Sequence, residues 1–396
     1  MTMQNILIDA RALQEGFKAH KHRGIGYYAQ RLINELITSE SVGDLTFLQE
    51  KGLPIDELIL DKHLLYHSSY LHLPQSLNLI ETQRTLSRVI STRKFSLVHY
   101  LSHFDASFLT RCPYIVSVMD TITLSAKELY PFPQQIKYNI LHKYVRRIVH
   151  GAAMVIAISE HTKKDIVKYY GISSYKICVV PLAVEERYSH QWHPSDIVNF
   201  RAKYGLPETF VLYIGGIDPR KNIGIIFKAM KALVATGQTC PLLAFAGRIE
   251  DQREYPNMIK TIRFLGIERF IKFLGYVPDD DLPLLYRASA AFIYPSRYEG
   301  FGLPVLQAMA AGTPVITTKL SSIPEVAGDA AFYIDPDAPE ALIQALQILQ
   351  TNNDLRSSLI ISGKRQARKY SWKRTANETI DVYREVMMVQ KKNERL

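Results

Sequence analysis

Short, unbroken apolar runs alternate along this chain with longer stretches in which apolar residues recur at helical spacing. Residues 6–9, 97–100, 114–119 and 154–158 are such runs, with helical patterning over 26–38, 133–149 and 160–170. Runs without polar alternation predict strands buried on both faces, as in parallel sheets whose crossovers are helices. A loop at about 181–195 breaks the series, and the pattern then restarts. Runs at 210–214, 242–246, 271–274, 291–294 and 314–317 are each followed by a helical stretch. The prediction is an α/β protein of two doubly wound domains, residues 1–185 and 186–371, with a hinge in that loop and a cleft between them. In such sheets, ligands bind beyond the carboxyl ends of the strands. Residues 372–396 are expected to form a final helix, about 372–389, and a tail. Ala376, Ile380, Tyr383 and Met387 share one face of it and demand a partner surface.

Composition narrows the class. The chain is 47% hydrophobic, enough to build packed cores and too much for a disordered chain. No apolar run approaches the ~18 residues of a membrane span, and no secretory leader is expected. Cys112, Cys178 and Cys240 lie far apart with no CxxC pair. That argues against a structural zinc site or a disulfide framework and points to the reducing cytoplasm. The net charge of +10 is spread over both halves rather than gathered in an arm. This speaks against nucleic acid as a partner and suits anionic ligands or an anionic membrane surface. Within the helix near 133–149, Lys137, Lys143, Arg146 and Arg147 lie beside a stripe of Ile136, Ile140, Tyr144 and Ile148. The pattern reads either as a membrane-surface helix or as an amphipathic helix packed on the sheet, and packing is the favoured reading.

Three glycine-bearing segments could carry chemistry. Gly24-Ile25-Gly26-Tyr27-Tyr28-Ala29 formally matches the dinucleotide pattern GxGxxA, but the preceding strand ends about fourteen residues too early for that turn. It reads equally as an anion-approaching loop at a helix N-terminus and as a loop without a ligand. Gly215-Gly216-Ile217-Asp218-Pro219-Arg220-Lys221-Asn222 follows a strand directly and places two cations at a helix start, a plausible diphosphate site. The richest segment runs from Tyr294 to Gly312. Its loop carries Glu299 directly before two demanding glycines, Gly300 and Gly302, and a helix opens near Pro304, a favoured first-turn residue. There Glu299 can bond sugar hydroxyls while the N–H groups of Gly302 and Leu303 point at a phosphate.

This last segment resembles the signature of family 4 of the retaining, nucleotide-sugar-dependent glycosyltransferases, which have the GT-B architecture of two Rossmann-like domains. Nearly the whole chain shares the likeness, through RGIGYYAQRLINEL, IVSVMDTITL, VIAISEHTKKDIVKYYG, ICVVPLAVEERY, GGIDPRKN, SSIPEVAGDAAFYIDPDAPEAL and YSWKRTANETIDVY. The resemblance implies that the closing helix crosses back onto the N-terminal domain. It gives Glu299 the donor-sugar hydroxyls, and gives the backbone of Gly300, Phe301, Gly302 and Leu303 the sugar and diphosphate. Arg220 and Lys221 would neutralise the departing diphosphate in place of a metal ion, so no metal or other cofactor is expected. Gly215 and Gly216 belong to the same phosphate loop. Gly24 and Gly26 would bring the N-terminal domain to the diphosphate. Val277 would face the base through its backbone, and Arg248 would lie near base or phosphate.

Two positions depart from the family pattern. Gln307 stands where a second Glu usually binds the ribose, which forfeits charge assistance on the order of 1 kcal/mol. Met119 stands where a His usually precedes the retained Asp120, so a role for that His is absent or moved; His99, His103 and His20 are candidate substitutes. The implied chemistry is front-face transfer of a hexose with retention, metal-independent, the acceptor hydroxyl passing its proton to the leaving phosphate. A mannose-like unit from GDP-mannose is the first choice of donor. The acceptor would be a glycan or lipid-linked saccharide of bacterial surface polysaccharide, handled in the cytoplasm or at the inner face of the membrane. The alternative is a catalytically weakened homologue serving as a binding or partner subunit, which rests on Met119 and Gln307 alone.

Overall fold

The computed structural model describes residues 3, 5–18, 20–21, 23–53, 63–66 and 75–393. The chain divides into two compact units, one comprising Met1–Lys127, Pro131–Leu182 and Trp372–Leu396, the other Glu128–Tyr130 and Ala183–Ser371. Each is built on one parallel sheet. The first unit contains β1 (Ile6–Asp9), β2 (Leu45–Glu50), β3 (His63–Tyr66), β4 (Leu97–Tyr100), β5 (Tyr114–Val118), β6 (Met154–Ala157) and β7 (Ile177–Val179), in the order β3-β2-β1-β4-β5-β6-β7. The second contains β8 (Phe210–Ile214), β9 (Leu242–Ala246), β10 (Ile271–Gly275), β11 (Ala291–Tyr294), β12 (Val315–Thr318) and β13 (Phe332–Ile334), in the order β10-β9-β8-β11-β12-β13.

The strand order reverses once in each sheet. In the first unit β1 lies between β2 and β4, with Ile6 opposite both Leu45 and Leu97. In the second β8 lies between β9 and β11, with Val211 opposite Ala291. Connections leaving such a pair diverge to opposite faces and open a crevice at the strands' carboxyl ends. The crevices therefore fall after β1 and β4, and after β8 and β11. The inner strands β1, β4, β5, β6 and β11 are buried along their whole length, which is why the sequence shows them as unbroken apolar runs.

The closing helix Trp372–Asn393 belongs to the first unit and buries Ala376, Ile380, Tyr383 and Val386. The Tyr383 hydroxyl lies 2.6 Å from Nδ1 of His99, whose Nε2 lies 2.9 Å from the Ser117 hydroxyl. Thr375 Oγ1 donates to the Pro181 carbonyl at 2.8 Å. His99 is thus a fully buried tie between β4, β5 and the closing helix, not an acceptor-side group as the sequence allowed. Burial lowers its imidazole to about 3 and keeps it neutral. Tyr383→Phe leaves that nitrogen unpartnered in a dry interior and is expected to cost about 1–2 kcal/mol. A lower melting temperature in a thermal melt checks this; an unchanged melt contradicts it.

The helix Phe132–Gly151 overturns part of the packing expectation. Tyr144, Val145, Ile148 and Val149 are buried, but Ile136 and Ile140 are exposed. Successive i, i+4 positions turn by about 40° around a helix. The row Ile136, Ile140, Tyr144, Ile148 therefore winds from the solvent side onto the sheet side. Among the described residues no helix is long and apolar enough to cross a membrane.

Candidate active site

The second unit's crevice is formed by the loops after β8 and β11. Gly215 and Gly216 follow β8 directly, and then Asp218 opens the single turn Pro219–Lys221. The Asp218 side chain accepts the Arg220 N–H at 3.2 Å, Pro219 fixes the first φ, and Asn222 closes the turn in the left-handed region at φ 53°. Local chemistry thereby holds Arg220 and Lys221 at the strand end. From the other side, the loop after β11 is stitched to them: the Arg297 N–H donates to the Arg220 carbonyl at 2.7 Å, and the Arg220 guanidinium donates to the Tyr298 carbonyl at 3.1 Å.

Four donors converge on one oxygen of Glu299. Its Oε1 accepts from Lys221 Nζ at 2.8 Å, Ser296 Oγ at 2.6 Å and Tyr294 OH at 3.0 Å, and lies 2.9 Å from Arg220 NH1. Among the described residues, Oε2 takes no protein donor. Burial pushes this carboxyl up, but Arg220 and Lys221 outweigh it and hold it down to about 2, so it is ionised at neutral pH. Lys221 Nζ also donates to Tyr294 OH at 2.5 Å. An ammonium has three N–H groups, so one remains for a ligand. Burial lowers this ammonium to about 8 against the opposing pull of Glu299. Tyr294 and Ser296 were given no role from sequence; their signal was only their position five and three residues before Glu299.

The loop then enters the helix Leu303–Ala311 through Gly302, whose φ of 105° is glycine territory. No side chain caps this helix, and the N–H groups of Gly302 and Leu303 meet no protein acceptor among the described residues. Ser321 Oγ accepts the Glu299 N–H at 2.9 Å, and Ser322 Oγ donates to the carbonyls of Glu299 and Phe301 at 2.9 and 2.8 Å. The stretch Glu299–Leu303, Gly300 within it, is thereby fixed before any ligand arrives. The Phe301 side chain is buried edge-on to Tyr370, so only its backbone can face a ligand. Gln307 is buried and its Oε1 accepts from Tyr286 OH at 3.2 Å. Val277 is buried beyond β10, while Arg248 is exposed beyond β9 with its guanidinium 4.6 Å from the Tyr276 ring centroid.

The first unit's crevice holds a second polar cluster that the sequence did not reveal. Arg11 is buried, donating to both carboxylate oxygens of Asp9 at 2.8 and 2.7 Å and to the Asp105 carbonyl at 2.7 Å. Asp105 also takes Lys18 Nζ at 2.5 Å and lies 3.0 Å from His20 Nε2. Its carboxyl is held far below the usual range, because Lys18, His20 and Arg11 outweigh the effect of burial. His103 is buried beside this group, lowered by burial to about 4, and its Nδ1 finds no partner among the described residues. Met119 is buried, and Asp120 Oδ1 accepts the Ile122 N–H at 3.1 Å. Gly24 has open space around it. Gly26 does not: a Cβ there would lie 2.5 Å from the carbonyls of His20 and Lys21. Its own chain, rather than a ligand, fills the space that this glycine frees.

The models for glycosyl transferases group 1 and for glycosyltransferase family 4 match residues 196–366 and 23–187. The O-antigen chain mannosyltransferase B of Escherichia coli is 30% identical over 374 residues, covering 91% of this chain and 96% of that protein. A sucrose-phosphate synthase from Thermosynechococcus elongatus superposes with a TM-score of 0.77 at 18% identity, over 98% of this chain and 100% of its own. Anabaena HepE, solved in complex with UDP and glucose, gives a TM-score of 0.73 at 17% identity, over 96% of this chain and 99% of its own. At those identities the two structures speak to the fold alone.

Proposed function

Since the chain belongs to the group 1 glycosyltransferases of the GT-B fold, we propose that it moves a mannose-like hexose from GDP-mannose to a glycan or lipid-linked acceptor in surface polysaccharide assembly, with retention and without a metal ion. The convergence on Glu299 carries the reading. With Oε1 tied to Lys221, Arg220, Tyr294 and Ser296, Oε2 is the oxygen left for donor-sugar hydroxyls. A carboxylate gripped by two cations is a poor nucleophile. Front-face displacement follows, in which the acceptor hydroxyl attacks as the diphosphate departs and passes its proton to a phosphate oxygen. Arg220, the remaining Lys221 N–H and the N–H groups of Gly302 and Leu303 would meet the departing charge. The mannosyltransferase relative supports the choice of sugar. Acceptor recognition is assigned to the cluster of Asp105, His20 and His103. A thermal-shift screen over GDP-, UDP- and dTDP-sugars tests the donor: the largest stabilisation is expected with GDP-mannose, and none with any nucleotide sugar would refute the reading.

The protonation of Lys221 gives a pH dependence. Its folded ammonium sits at about 8, so the charged fraction falls as pH rises through that value. The kcat/KM of the free enzyme is expected to decline above about pH 8, and Lys221→Arg should remove that limb because a guanidinium stays charged. The same basic limb in the Arg variant would assign it to another group.

A further inference from the structure

Within the second unit, the Asp218 carboxylate holds Arg220 at two points. Asp218 Oδ1 accepts the Arg220 N–H at 3.2 Å and lies 3.6 Å from Nε of the same residue. The far end of that guanidinium, NH1, reaches the Tyr298 carbonyl at 3.1 Å and Glu299 Oε1 at 2.9 Å. Where Asp218 points therefore bears on where Arg220 points. Yet the Asp218 side chain is 38% exposed, and a carboxylate at the surface is free to exchange rotamers and partners with water. A third donor removes that freedom. The Tyr130 hydroxyl donates to the same Oδ1 at 2.8 Å, from a residue only 6% exposed. Tyr130 stands 88 positions earlier, in the segment Glu128–Tyr130, which belongs to the second unit although the chain on either side of it belongs to the first. Flanked by Leu129 and Pro131, it carries no motif that would mark it in the sequence.

We propose that Tyr130 is a positioning residue for the donor diphosphate: its hydroxyl locks the Asp218 carboxylate, and through it Arg220, in the direction that meets the leaving group. The inference rests on the reading that Arg220 and Lys221 hold the diphosphate. In this role Tyr130 acts through Asp218 and needs no contact with the donor. It removes other orientations of Arg220 before the donor arrives, and a misdirected guanidinium forfeits the paired geometry that makes arginine a good phosphate ligand. A tyrosine present for packing alone would need its ring and not its hydroxyl. Tyr130→Phe separates the two roles.

Isothermal titration of GDP and of GMP into the full chain tests it. Tyr130→Phe is expected to weaken GDP about tenfold, the usual worth of a hydrogen bond to a charged group. GMP, which lacks the terminal phosphate, should bind as it does to the parent. Asp218→Ala should weaken GDP at least as much, and adding Tyr130→Phe to it should cost nothing further, because the two act through one contact. The inference is overturned if Tyr130→Phe binds GDP like the parent, if it loses GMP to the same degree, or if its loss persists in the Asp218→Ala background. Lys221→Ala, titrated alongside, tells this failure from that of the underlying reading. GDP affinity lost in Lys221→Ala but kept in Tyr130→Phe overturns the inference alone. Affinity kept in both, or a parent that does not bind GDP, overturns the reading and the inference with it.

Discussion

Lys221→Ala is expected to cut turnover about 100-fold or more, the usual loss when one preorganised charge-stabilising group is removed. Lys221 Nζ is held by Glu299 at 2.8 Å and Tyr294 at 2.5 Å, so its remaining N–H is aimed before the donor arrives. Preorganisation of this kind matters most where negative charge grows, which in the proposed reaction is the departing diphosphate. Arginine at 221 should recover part of the rate, because it keeps the charge but not the compact geometry. Steady-state kcat with a saturating donor checks both variants. A fall of less than about tenfold in Lys221→Ala would leave the leaving group to other residues.

Glu299→Gln is expected to lower stability by about 3 kcal/mol, since removing one partner of a buried ion pair strands the other charge. Here two cations would be stranded, Lys221 and Arg220, each within 2.9 Å of Oε1. The sign with pH follows from the depressed carboxyl. Its contribution is complete above the ordinary carboxylate value of 4.5 and is lost as pH falls toward about 2, so parent and variant should converge in acid. The variant's residual product should keep the retained anomer, because Glu299 holds hydroxyls and forms no covalent bond in the proposed mechanism. Thermal melts across pH and an NMR assignment of the product anomer check the two halves separately. A glycosyl adduct trapped on Glu299 would make it a nucleophile instead.

The fold was legible where burial on both faces left at most one polar residue in a run. The patterns at 6–9, 97–100, 210–214, 242–246 and 291–294 are the strands β1, β4, β8, β9 and β11 to the residue. β2 escaped because Thr46, Gln49 and Glu50 break its run; Glu50 is nonetheless buried, and its backbone bonds the Gln14 amide. β7 and β13, three residues each, are too short for any periodicity to register. In the site, Glu299, Arg220 and Lys221 could be named from segments whose chemistry is local. The partners that aim them could not. Tyr294 ends a strand and Ser296 follows a proline, so each has an ordinary local reading. The Arg11 contact with Asp105 joins residues 94 apart, which no spacing rule connects. His99 shows the converse error. A histidine on an apolar strand offers the same letters whether it faces a ligand or, as here, a tyrosine from the closing helix.

In the proposed reaction the cations Arg220 and Lys221, rather than a metal ion, hold the donor diphosphate beside Glu299. Isothermal titration of GDP-mannose into the full chain in the presence of EDTA tests it most directly, run in parallel on Lys221→Ala. Saturable binding by the parent without metal is expected, and binding about tenfold or more weaker in the variant, the loss of one charge-assisted hydrogen bond. Binding that appears only when manganese is restored, or that is the same in both proteins, would contradict it.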